Sequence, residues 1–222
     1  MLILASIVHH MSFNFSSIKS NSTVIYLLEY DDFDPTSYIN KLTDTELERL
    51  NNFKHIKRKR EFVATRILRH NLFGFEHIHY DPLGAPYIEK EGFISISHSK
   101  NKVAIALNKE YQIGIDLEPH RPNILKVAHK FLTKKEMEIF DCTDTLTVTQ
   151  IWSAKETLYK LAGRKKILFS KELHLEKDEK GNWIGIIDNF DHVLVVKLNI
   201  FDFKDTIITI NADEIEKQIQ NT

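Results

Sequence analysis

The sequence predicts an α+β fold made of two similar halves, each a small antiparallel sheet packed with a long helix. Short apolar runs of strand composition occur in both parts of the chain: TVIYLLEY, FISIS and VAIAL early, then QIGIDLE, ELHLEK, NWIGIID, HVLVVKLNI and TIITINA. Each part also holds one long segment of helical periodicity. The order of elements repeats even though no sequence repeat is visible. That order divides the 222 residues near Lys109, into 1–109 and 110–222.

Taken in order, the opening MLILASIVHH has no basic leader and no small-residue cleavage pattern, so LILASIV (2–8) reads as a strand. TVIYLLEY is the next strand. From Thr43 to Phe73 the pattern is helical. Thr43 stands three residues before Glu46, the spacing of a capping box. The following segment places Phe62, Ile67, Leu68 and Leu72 on one face and stops at Gly74. DPLGAP (81–86) is a turn. FISIS and VAIAL, joined by HSKNK, read as a hairpin or as neighbouring strands. QIGIDLE is a strand stopped by Pro119 and Pro122. NILKVAHKFL and TKKEMEIF read as helical, and TVTQIWSAKETLYKLAG as a helix ending at Gly163, with Ile151, Ala154, Leu158 and Leu161 forming its core stripe. The last third is an antiparallel meander, with turns at Lys180–Asn182 and Asp188–Asn189.

Composition limits the function classes. Hydrophobic residues are 42% and charged residues 27%, as in a globular protein with a core. A net charge of −1 argues against a nucleic-acid coat or a polybasic membrane binder. No apolar run approaches the length of a membrane span. The single Cys142 excludes a disulfide framework and a cysteine-built metal site, and fits a reducing, cytoplasmic setting.

Four stretches carry chemistry. In QIGIDLE, strand alternation puts Ile113, Ile115 and Leu117 on one face and Gly114, Asp116 and Glu118 on the other. Two carboxylates on one face repel unless they are solvated or bridged by a cation, and hard oxygen donors suit Mg²⁺. Gly114 would let a ligand approach closely. A solvated strand face is the commoner reading of such a pair alone. In WSAKETLYK, Glu156 and Lys160 are four apart. As a surface ion pair they contribute about 0.3–0.5 kcal/mol; alternatively Glu156 joins the two strand acids and Lys160 faces a phosphate. Ser97 and His98, at the end of FISIS, can hydrogen-bond a phosphate. The run KRKRE (57–61) with Arg66 and Arg69 reads as a solvated helix face, or as a grip on a phosphorylated ligand.

In their order along the chain, GAPYI, ISISHS, VAIAL, IGIDLE, FLTKKE and WSAKETLYK resemble the surfactin-type class of 4′-phosphopantetheinyl transferases. The similarity covers about half the chain and is strongest at GIDLE and WSAKETLYK. The resemblance implies a pseudo-twofold α+β architecture. It implies an enzyme that moves the 4′-phosphopantetheine arm of coenzyme A onto a serine of an apo acyl or peptidyl carrier protein, releasing 3′,5′-ADP. By the same resemblance, Asp116, Glu118 and Glu156 hold Mg²⁺, with Mn²⁺ as the alternative ion. Lys160 contacts the reacting diphosphate, Ser97 and His98 bind phosphate, and Arg66 reaches the coenzyme A phosphate. Glu156 is the expected base, directly or through a water. One departure from the family is Ala85, where many members carry Lys or Arg in the turn, so a charge contact to the nucleotide is missing there. Carriers are commonly acidic, which makes Lys134, Lys135 and Arg164–Lys166 candidate contacts. A single chain supplying both halves points to a monomer. Two other readings use the same residues: a Mg²⁺-dependent nuclease gripping DNA through KRKR, and a non-catalytic module that binds coenzyme A or a carrier.

Overall fold

The computed structural model describes residues 13–163, 166–189 and 192–219. The expected strand LILASIV (2–8) lies outside the described residues. The first sheet contains β1 (Phe13–Ser20), β2 (Thr23–Tyr30), β3 (His79–Tyr80), β4 (Pro86–Tyr87), β5 (Phe93–Ser99) and β6 (Lys102–Asn108), in the order β1-β2-β6-β5-β4-β3. The helices α1 (Asp44–Asn51) and α2 (Ile56–Phe73) lie between β2 and β3 in sequence. The second sheet contains β7 (Ile115–Pro119), β8 (Leu173–Lys177), β9 (Trp183–Asn189), β10 (His192–Phe203) and β11 (Thr206–Asn211), in the order β7-β11-β10-β9-β8, and β12 (Glu216–Ile219) pairs with β10. The helices α3 (Lys134–Ile139), α4 (Thr145–Leu161) and α5 (Phe169–Glu172) lie between β7 and β8. All pairings are antiparallel.

The two halves follow one path. In the first, β2 leads through α2 to β3, β4, β5 and β6, and β6 returns to lie beside β2. In the second, β7 leads through α4 to β8, β9, β10 and β11, and β11 returns to lie beside β7. The result is an α+β structure of four layers: α2, first sheet, second sheet, α4. Three apolar clusters fill the gaps. Phe62, Val63 and Leu68 of α2 meet Leu28, Val103 and Ile105 of the first sheet. Ile25, Leu27, Ala104 and Ala106 meet Ile115, Leu117, Ile208 and Ile210 between the sheets. Val148, Ile151, Ala154 and Leu158 of α4 meet Leu175, Ile187 and Val196 of the second sheet. Alternation along β6 divides its side chains between two of these clusters, as period-2 geometry requires.

The local signals act as expected at several places. Thr43 and Glu46 form the capping box of α1, and Gly74, at φ 62°, ends α2. FISIS and VAIAL form the β5–β6 hairpin. NILKVAHKFL differs: it forms two single 3-10 turns, at Ile124–Lys126 and Ala128–Lys130, separated by Val127 with φ −114° and ψ −1°. β1 escaped the sequence reading because FNFSSIKS is largely exposed along a sheet edge and carries little apolar alternation. No helix among the described residues is long and apolar enough to cross a membrane.

Candidate active site

β7 is an edge strand of the second sheet, so one side of its backbone has no strand partner. Side chains close that edge. Ser95 Oγ accepts from the Ile115 N–H at 3.1 Å, and Ser97 Oγ accepts from the Leu117 N–H at 3.1 Å. Lys160 Nζ donates to the Ile115 carbonyl at 2.5 Å. An edge satisfied in this way holds the strand in register and leaves no template for further pairing.

The outer face of β7 carries the acids under α4. Asp116, 5% exposed, accepts from Ser153 Oγ at 2.9 Å, Ser97 Oγ at 3.2 Å and Lys160 Nζ at 3.2 Å. Glu118 accepts the Arg121 fork at 2.7 and 2.9 Å and the Trp152 indole N–H at 2.9 Å. Trp152 and Ser153 precede Glu156 by four and three residues, so helical spacing alone places all three on the side of α4 that meets β7. Glu156 has no hydrogen bond or ion pair among the described residues. Its carboxyl is pushed up to about 7, first by burial and then by the Asp116 and Glu118 charges, against the pull of Lys160 and Arg121. Burial also raises Glu118, with Asp116 adding, while Arg121 and Trp152 oppose.

Gly114 has a different job from the ligand clearance that its place on the acidic face predicts. A Cβ there would stand 2.7 Å from the Thr157 carbonyl and 2.9 Å from Leu161 Cγ. The missing side chain makes room for α4. Gly185 of β9 does the same, where a Cβ would stand 2.5 Å from Leu158 Cδ2. These two close approaches bring the α4 carboxylate down beside β7.

The donor set passes a chemical test for a hard divalent cation. It consists of carboxylate oxygens whose mutual repulsion is only partly relieved, and Lys160 and Arg121 supply the positive charge now facing Asp116 and Glu118. Among the described residues, no three His, Cys, Asp or Glu side chains converge as a preformed ligand cage.

Lys160 also lines a cavity of about 520 Å³ that opens between the halves. Its other charged walls are Arg49, Arg58, Arg66, His98 and Glu61, and its aromatic walls include Phe62, Tyr80, Phe93 and Tyr159. The basic run does not form a single solvated face. Arg66 is 3% exposed, lies 3.9 Å from the centre of the Phe62 ring, and donates to Glu46 at 3.1 Å and to the Tyr80 hydroxyl at 3.3 Å. Arg69 is fully buried on the same Glu46 at 2.7 Å. Arg58 reaches Glu61 at 2.9 Å and His98 Nε2 at 3.1 Å. Arg60 turns away to Asp32 and the Phe33 carbonyl.

The structure therefore brings Arg66, His98 and Lys160 to one cavity and sets Asp116, Glu118 and Glu156 beside its Lys160 end. Ser97 stands apart from the cavity. Strand alternation points it at β7, where it holds Asp116. Ala85 lines the cavity, and Arg49 stands on the same wall, 4.7 Å from the centre of the Tyr80 ring. Sequence reading missed Arg49, Arg121, Ser153 and Lys155. Lys155 is fully buried on the far side of α4 and binds Glu136 at 2.9 Å and the carbonyls of Phe131 at 2.6 Å and Phe169 at 3.1 Å. Lys134 and Lys135 are exposed on α3, with Lys135 paired to Glu176 at 2.9 Å. Of the Arg164–Lys166 stretch, positions 164 and 165 lie outside the described residues.

Residues 112–207 match the sequence model of the 4′-phosphopantetheinyl transferase superfamily, a stretch that holds all three acids and Lys160. The 4′-phosphopantetheinyl transferase HetI of Nostoc sp. is 31% identical over 141 residues, 55% of this chain and 60% of its own length. A putative 4′-phosphopantetheinyl transferase of Synechocystis sp. is 25% identical over 141 residues, 55% of this chain and 57% of its own length. The matched region thus spans a little over half of each of these curated relatives.

Proposed function

We propose, from the match of residues 112–207 to the 4′-phosphopantetheinyl transferase superfamily, that this chain moves the phosphopantetheine arm of coenzyme A onto a serine of an apo acyl or peptidyl carrier protein. The products are holo-carrier and 3′,5′-ADP. One observation carries this reading: Lys160 lines one end of a cavity whose other walls are mainly cationic and aromatic, and Asp116 and Glu156 stand beside that lysine. Coenzyme A is a polyanionic nucleotide with a flexible arm, so it matches such walls in charge and in its stacking base. Two halves within one chain suit the surfactin-type class and a monomer.

Asp116, Glu118 and Glu156 would hold Mg²⁺, with Mn²⁺ as the alternative. When bound, the ion relieves repulsion between the carboxylates and the diphosphate and stabilises charge on the leaving phosphate. Lys160 is within reach to exchange the Ile115 carbonyl for a diphosphate oxygen. His98 and the guanidinium groups of Arg58 and Arg66 position the nucleotide phosphates. Glu156 receives the serine proton, directly or through a water, as the serine oxygen attacks the pantetheine-side phosphorus. Ser97 and Ser153 act through Asp116 by fixing its carboxylate. Incubation with coenzyme A, Mg²⁺ and an apo carrier protein should give a carrier heavier by one phosphopantetheine. An unmodified carrier, or nicked plasmid DNA in its place, would reject this reading.

A further inference from the structure

Glu61 is the one acid among the described residues lining a cavity suited to anions, and it is 5% exposed. A buried carboxylate in that position repels the ligand unless it serves a neighbour. Its neighbours are Lys57 at 3.8 Å, Arg58 at 2.9 Å and His98 Nδ1 at 3.6 Å. The other ring nitrogen of His98, Nε2, lies 3.1 Å from Arg58. A guanidinium only donates, so Nε2 is the acceptor and the ring proton sits on Nδ1, facing Glu61. In this tautomer His98 has no proton to offer an incoming phosphate. It gains one only by becoming imidazolium, with Arg58 released to the ligand as well.

We propose that Glu61 is a positioning residue that enables His98 to take up a proton as a phosphate monoester enters the cavity, so that ligand binding and protonation occur together. The inference rests on coenzyme A being the ligand, since its ribose phosphate is such a monoester. The charges facing His98 are Glu61 and Arg58 from α2 and Lys160 from α4. Burial holds the free imidazole below its ordinary value, Glu61 raises it, and Arg58 and Lys160 lower it further. An arriving phosphate draws Arg58 and Lys160 onto itself and leaves Glu61 and its own charge to favour the imidazolium. Glu61 thus exchanges an unfavourable encounter with the ligand for a cation that both of them share.

The test is calorimetry of coenzyme A binding, at about pH 7.5, in buffers of different ionisation heat, with uptake of about one proton per site expected. The analogue lacking the 3′-phosphate should bind without that uptake. Glu61→Gln should lose most of the uptake and weaken coenzyme A about tenfold, the change that one pKa unit at His98 brings, while the dephospho analogue is unaffected. Glu61→Asp should restore much of both, which a purely structural loss would not. Equal uptake in wild type and Glu61→Gln, or none in wild type, overturns the proposal. Binding without uptake overturns this inference alone, whereas no binding of coenzyme A to wild type overturns the transferase reading with it.

Discussion

The two long helices bury charge in opposite ways. α2 buries Arg66 and Arg69, and Glu46 of α1 answers both from one carboxylate. α4 buries Lys155 and answers it with Glu136 of α3. The next residue of α4, Glu156, faces Asp116 and Glu118 with its charge unmatched. A matched buried charge fixes neighbouring segments, because its hydrogen bonds have few alternatives in a low dielectric. An unmatched charge stores repulsion that a ligand or a cation can relieve. The repeated topology has therefore diverged in charge: the α2 half supplies cations and aromatic walls, and the α4 half supplies the acids.

Substitutions that exchange matched for unmatched charge break this contrast most strongly. Lys155→Met leaves Glu136 buried without its cation and should lower unfolding free energy by about 3–5 kcal/mol in urea titration. A loss under 1 kcal/mol would show that the Lys155–Glu136 pair is not part of the scaffold. His98→Ala should weaken coenzyme A binding by about 1.5–3 kcal/mol, the worth of a hydrogen bond to a charged group, with kcat largely kept. A fall in kcat at unchanged KM would move His98 from binding to chemistry. Gly114→Ala drives a methyl into the Thr157 carbonyl and should destabilise by about 1–3 kcal/mol. If stability holds while activity falls, the glycine serves a ligand after all.

The smallest effect should lie at the seam between the halves. Asp205, in the β10–β11 turn, reaches Lys102 at 2.5 Å and Lys100 at 3.4 Å across that seam. The Lys102 hydrogen bond holds its carboxyl well below the ordinary range. A depressed folded-state value means that the contribution is present above the unfolded aspartate value, near about 4, and is lost as pH falls further. The Asp205 carboxylate is exposed to solvent screening although Lys102 is buried, so Asp205→Asn should cost at most about 1 kcal/mol near neutrality, and less in high salt. A salt-independent loss would contradict a solvent-screened contact.

The legible parts of the fold were those set by near neighbours. Thr43 and Glu46 are three apart, β5 and β6 share a two-residue turn, and Ile151, Ala154, Leu158 and Leu161 repeat at helical spacing. Asp116 and Glu118 stood out because two acids on one strand face need an explanation. What stayed hidden depends on partners far away in sequence. The Gly114 N–H is bonded by the Asn211 side chain, and its missing Cβ is set by Thr157. Ser97 reads as a phosphate ligand, and its contacts to Asp116 and the Leu117 N–H, about twenty residues away, are not visible in the sequence. Arg66 and Arg69 read either as a solvated face or as a grip on a phosphorylated ligand, and nothing in the sequence pairs them with Glu46, 20 and 23 residues away. Helical periodicity did not reveal the split at Val127, which separates two single 3-10 turns.

The division between a binding half and a reacting half can be tested on one variant. Glu156→Gln removes an unmatched carboxylate and leaves the cavity walls in place. Intact-mass monitoring of an apo carrier, with saturating coenzyme A and Mg²⁺, should show loading slowed by about 10²–10⁴ relative to wild type, at unchanged coenzyme A affinity. Loading at near the wild-type rate would contradict the assignment of the chemistry to the acids beside Lys160.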